Sequence, residues 1–109
     1  MKLILAIVQD EDAGALIDAL VAKQFAVTRI NTVGGFLRKG NALVMSGVDD
    51  WRTSDFLLTI SQNCTTRTQY INPLPPIMEP GEFYMPYPVE VQVGGATVFV
   101  LDVERFVRL

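Results

Sequence analysis

An α+β fold is predicted for this chain by three observations. Apolar residues switch between strand-like and helix-like spacing, glycine pairs sit between short β-prone runs, and every proline falls in one stretch. With 109 residues, of which 50% are hydrophobic and 19% charged, the chain suits one globular domain spanning 1–109 with a modest core. The net charge of −3 comes without a Lys/Arg run, which argues against duplex DNA and anionic lipid as partners, so no nucleic acid and no membrane are expected. The apolar N-terminal run is too short to span a bilayer and lacks a signal-peptide cleavage pattern, and a cytoplasmic location is expected. Histidine is absent and Cys64 is the sole cysteine, which removes disulfide frameworks, Cys/His zinc sites and His-assisted nucleophiles.

Leu3 to Val8 is a continuous apolar run, as in a strand buried on both faces. Asp10 is an N-cap candidate, with Glu11 and Asp12 at the positive end of the helix that follows. Helix-dipole complementarity accounts for this acidic pair without acid–base chemistry or a metal. Ala13, Leu16, Ile17, Leu20 and Val21 form one apolar stripe on a helix running to about Lys23. Phe25 to Asn31 reads as a strand, with Ala42 to Ser46 as its partner across the glycine-rich connection. Asp49 or Asp50 caps a second helix in which Trp51, Phe56, Leu57 and Ile60 share a face, ending near Asn63. Prolines 73, 75, 76, 80, 86 and 88 make Thr65 to Pro88 a long irregular excursion, functional or mobile. Val89 to Val93 alternates with period two, and Gly94-Gly95 is a favourable hairpin connection to a last strand from Ala96 to Val103. This order gives a ferredoxin-like βαββαβ core with an extra β-strand and a long Pro-rich loop.

Two helices cover only one face of such a sheet, yet the strands at Leu3–Val8 and Ala96–Leu101 are apolar on both faces. Burial against other copies of the chain is the expected remedy. The richest candidate site is Thr32-Val33-Gly34-Gly35-Phe36-Leu37-Arg38-Lys39-Gly40-Asn41. Gly34 and Gly35 permit close backbone approach to a phosphate, or simply a hairpin turn. Phe36 offers a face for a planar base, or packs against a neighbouring subunit. Arg38 and Lys39 are cations of the kind that remain solvated. Asn41 donates and accepts hydrogen bonds as adenine or ribose would require, or ends a turn. Cys64, with no histidine to activate it, reads as a quiet buried or helix-end thiol.

Met1-Lys2-Leu3-Ile4, Ala6-Ile7-Val8-Gln9-Asp10, Gly34-Gly35-Phe36-Leu37, Gly40-Asn41, Pro86-Tyr87-Pro88-Val89-Glu90-Val91 and Val93-Gly94-Gly95-Ala96-Thr97-Val98-Phe99-Val100 together resemble the cyclic di-AMP receptor family, PII-like signal-transduction proteins of Gram-positive bacteria. The resemblance runs over essentially the whole chain. It implies a homotrimer that is not an enzyme, with cyclic di-AMP as ligand, no cofactor, an unknown downstream protein partner, and clefts between subunits whose occupancy orders flexible loops. Carried over by position, Gly35, Phe36, Leu37 and Asn41 would hold one face of the ligand, and Thr28, Gly47 and Phe99 would complete the cleft. The chain departs from the family's better-known members at Gln24 and Ala26, where they carry asparagine and arginine, and in its Phe106-Val107-Arg108-Leu109 tail. Competing readings are a PII-like sensor of ATP or ADP, a trimeric scaffold docking partners through its Pro-rich loop, and a small oligomeric enzyme. A triphosphate usually demands several well-placed cations, and the glycine region supplies two. The enzyme lacks both histidine and a plausible carboxylate pair.

Overall fold

The computed structural model describes residues 1–32, 41–71 and 89–109. Along the chain come β1 (Lys2–Gln9), α1 (Asp10–Ala22), β2 (Thr28–Thr32), β3 (Asn41–Val48), a 3-10 turn (Asp50–Arg52), α2 (Thr53–Asn63), β4 (Arg67–Ile71), β5 (Val89–Val93) and β6 (Ala96–Asp102). One antiparallel sheet has the order β2-β3-β1-β6, and β4 and β5 pair as a separate two-stranded arm. The connectivity β1-α1-β2-β3-α2-β6 and its strand order are compatible with a ferredoxin-like core. The Pro-rich residues 72–88 and the glycine-rich residues 33–40 lie outside the described residues.

The period-two rule decides how the sheet is used. Ile4, Ala6 and Val8 of β1 and Ala42, Val44 and Val48 of β3 point to the helix side and are buried. They meet Ala13, Leu16 and Leu20 of α1 and Phe56 and Ile60 of α2 in one core cluster. Each fully buried Leu, Ile or Phe contributes about 1.5–3 kcal/mol of transfer free energy. Gln9, not Asp10, occupies the N-cap of α1 and makes no side-chain cap bond, so Asp10, Glu11 and Asp12 in the first turn face the helix dipole instead.

α1 ends in a Schellman turn: the Phe25 N–H donates to the Leu20 carbonyl at 3.1 Å, and the Gln24 N–H to Val21 at 2.9 Å. The turn demands a left-handed residue, and Gln24 adopts φ +68°. This accounts for Phe25, expected to open the second strand, being buried in the core, with β2 starting only at Thr28. A non-glycine residue in the left-handed region costs about 1–2 kcal/mol. Gln24→Gly is therefore expected to stabilise the fold by roughly 0.5–1 kcal/mol after the added unfolded-state entropy, raising the melting midpoint by roughly 2–6 °C at fixed protein concentration. An unchanged or lower midpoint by calorimetry would show that the glutamine side chain supplies a compensating contact.

The Phe56 ring meets Phe25 edge-on at 5.0 Å and 82°. The Arg52 guanidinium lies 3.9 Å from the Phe25 ring centroid, and its Nη2 donates to the Lys23 carbonyl at 2.6 Å, which satisfies the end of α1. Trp51 does not share the buried face of α2 as its spacing predicts. It belongs to the 3-10 turn and is 81% exposed, and Leu57 is exposed as well, leaving Phe56, Thr59 and Ile60 as the buried stripe. No aspartate caps α2 by its side chain; Asp49 instead offers its carbonyl to the Arg52 N–H at 2.9 Å.

Downstream, two expectations are corrected. The excursion expected from Thr65 begins with a regular strand, β4, and β5 pairs with that strand, not with β6. Gly94 and Gly95 thus join two sheets. Both adopt positive φ, +84° and +82°, and a Cβ on Gly94 would collide with the Thr65 carbonyl oxygen. The arm is tied down at its base. The Gly94 N–H donates to Gln9 Oε1 at 2.7 Å, the Gly95 N–H to the Cys64 carbonyl at 2.6 Å, and Arg67 grips Asp12 through Nη2–Oδ1 at 2.9 Å and Nη1–Oδ2 at 3.3 Å. Glu11 lies 3.5 Å from the same guanidinium. The acidic pair Glu11 and Asp12 therefore has a structural cation partner beyond its position near the helix dipole.

Candidate functional site

The sheet face away from the helices carries no cover among the described residues, and four of the candidate residues lie on it. Strand register sorts that face into rows. Thr28, Met45, Leu5 and Phe99 form one row, with Gly47, Leu3 and Leu101 beside it on one side and Ile30, Leu43, Ile7 and Thr97 on the other; Thr32, Asn41 and Gln9 make the last. Leu3, Leu5, Ile7, Leu43 and Met45 are half-buried, while Ile30, Leu101 and Phe99, the last at 48%, stand exposed. A contiguous apolar surface of this kind marks an interaction site. Thr28 and Phe99 stand at opposite edges, three strand spacings or about 14 Å apart. One adenine cannot touch both within a single copy.

Asn41 opens β3 next to the glycine-rich segment. It is only 4% exposed, and among the described residues its buried Oδ1 has no hydrogen-bond partner. Leaving such an acceptor unmet costs about 1–3 kcal/mol. Thr32 fixes the start of the strand from the other side, its hydroxyl donating to the Asn41 carbonyl at 3.1 Å. Opposite Asn41, at the end of β1, stands Gln9, which the sequence shows within the segment Ala6-Ile7-Val8-Gln9-Asp10 and with no role of its own; it is 7% exposed, with its Oε1 committed to Gly94. A buried amide at a strand end, next to a candidate site residue, is a signal that hydropathy alone does not supply.

Gln24, Ala26 and Gly47 converge on a shallow cavity of about 230 Å³, together with Met1, Phe25, Val48, Asp49 and Arg52. The Ala26 carbonyl accepts from Ser46 Oγ at 2.5 Å, which pins the approach to β2 against β3. Gly47 meets no steric demand, since a Cβ there would stand 3.7 Å from Met1 Sδ. Gly34, Gly35, Phe36, Leu37 and Arg38 fall outside the described residues, although Thr32 and Asn41 bracket them.

Cys64 is buried at the end of α2, and burial, with Asp12 nearby, pushes its thiol up to about 11. The group thus remains protonated throughout the neutral range. Alkylation by iodoacetamide at pH 8 is expected to run at least about 100-fold slower in the native protein than in the urea-unfolded chain. Comparable rates would mean that the α2 terminus opens readily. Among the described residues no three His, Cys, Asp or Glu side chains are grouped to hold a metal, and no helix is long and apolar enough to cross a membrane.

Comparison with known proteins agrees with the resemblance seen in the sequence. The profile of the cyclic-di-AMP receptor family matches residues 1–109. A crystal structure of a functionally unknown protein from Pediococcus pentosaceus is similar at 39% identity, over 99% of this chain and 96% of that one, with a TM-score of 0.77.

Proposed function

This chain belongs to the cyclic-di-AMP receptor family, and on that premise we propose that it is a PII-like receptor, not an enzyme, which binds cyclic di-AMP in clefts between the subunits of a homotrimer. The observation that carries the reading is the family match over the full length of the chain. The geometry supports its details. Thr28, Asn41, Gly47 and Phe99 share the open apolar face, and the span between Thr28 and Phe99 is bridged naturally when one copy brings its β2 edge to another's β6 edge. Asn41 offers a desolvated acceptor of the kind an adenine amino group or a ribose hydroxyl satisfies. Gly35, Phe36 and Leu37 act from the segment between Thr32 and Asn41, with Gly34 and Arg38 beside them. Gln24 and Ala26 line the rim next to Gly47. The protein works in the cytoplasm and passes its signal through the arm and the Pro-rich loop to a protein partner.

Calorimetric titration against cyclic di-AMP, cyclic di-GMP, ATP and AMP tests the ligand, and light scattering tests the trimer. Binding of cyclic di-AMP alone is expected; binding of ATP in its place would make the protein an adenine-nucleotide sensor of another kind. Phe36→Ala is expected to weaken cyclic di-AMP by about 1–3 kcal/mol, roughly tenfold to a hundredfold, through lost base stacking. Unchanged affinity in a correctly assembled variant would assign Phe36 to packing between subunits.

A further inference from the structure

We propose that Gln9 couples Asn41 to the β4–β5 arm, so that a ligand engaging Asn41 alters how firmly the base of the arm is held. The inference rests on the reading of the open face as a ligand site. Gln9 ends β1 directly across from Asn41 at the start of β3, and both side chains are buried. Directly opposed residues of neighbouring strands bring their Cβ atoms within about 4.5–5.5 Å, which is close enough for two amides to interact.

The two ends of the Gln9 amide have different work. Its Oε1 already accepts from the Gly94 N–H at 2.7 Å, while its NH2 group has two donors to give. Among the described residues, Asn41 Oδ1 is a buried acceptor without a donor. A ligand seated at Asn41, donating to its Oδ1 and accepting from the Gln9 NH2 group on the neighbouring strand, turns the Gln9 amide relative to Gly94.

Gly94 is a sensitive place to receive that change. Its left-handed backbone is packed so closely on Thr65 and Arg67 that a Cβ would not fit, and it is the junction between the sheet and the arm. Of the ties at this junction, the Cys64 carbonyl is backbone and the Arg67–Asp12 pair is ionic. Gln9 supplies a neutral, rotatable side chain that also borders a candidate ligand residue.

The test follows Gly94 amide exchange by NMR, with cyclic di-AMP affinity measured on the same samples. Gln9→Leu removes both ends of the amide, and Gln9→Glu keeps an acceptor for Gly94 but loses the NH2 group. Without ligand, Gly94 is expected to exchange about tenfold faster in Gln9→Leu and at the native rate in Gln9→Glu. Saturation with cyclic di-AMP is expected to shift Gly94 exchange at least about fivefold in the native protein and in neither variant, with affinities altered by no more than about tenfold. A native-sized response in saturated Gln9→Glu, or native protection of Gly94 in Gln9→Leu, overturns the coupling. Absence of binding to the native protein instead defeats the ligand reading and the coupling with it, and the titration alone reveals that case.

Discussion

Phe56→Ala is expected to destabilise the protein by about 3–5 kcal/mol, enough to leave much of the chain unfolded at physiological temperature. Phe56 is fully buried at the point where both helices meet the sheet, and its edge contact with Phe25 holds the turn that ends α1. Removing the ring leaves a cavity and also takes away one side of the stack in which Arg52 covers Phe25 from another. Chemical denaturation with far-ultraviolet circular dichroism measures the loss. A cost under about 1 kcal/mol would mean that Leu16 and Leu20 collapse into the space, contrary to a tightly packed core.

Arg67→Ala carries the second large effect, a clear loss of stability, because it strands the Asp12 carboxylate, 6% exposed, without its bidentate partner. The arm should loosen at the same time, since Arg67 is the first residue of β4 and its guanidinium reaches back to α1. Asp12→Ala in the same background supplies the control. The double variant is expected to be more stable than the sum of the single losses predicts, by at least about 1 kcal/mol. Strict additivity would show that the two side chains act independently.

Elements with strong local period were legible from the residues alone. β1, α1 and β3 appear within a residue or two of their expected limits, because their burial follows simple alternation or a helical stripe. Misreadings occurred where tertiary geometry overrides local pattern. Trp51 has helical spacing to Phe56, but the chain enters α2 through a 3-10 turn that rotates the indole outward. Gly94-Gly95 has hairpin chemistry, yet β5 finds its partner in β4 and the glycines serve a change of sheet. For the candidate site, composition indicated the residue types, and the shared face of Thr28, Asn41, Gly47 and Phe99 emerged only from register. Gln9 was invisible for a related reason: its importance lies in burial and in a partner 85 positions away.

The pairing of Ile71 with Val89 has a consequence for how the protein can change over generations. The chain between them leaves and re-enters the fold at adjacent points, so the entropy of closing that excursion is set by the arm and not by the core. Doubling the length of such an excursion adds only about 0.6 kcal/mol of closure cost. A change in the length of the chain between Ile71 and Val89 therefore adds little closure cost of its own. Selection on the length of that stretch is then largely uncoupled from selection on the core, which the closing pair of β4 and β5 insulates from it.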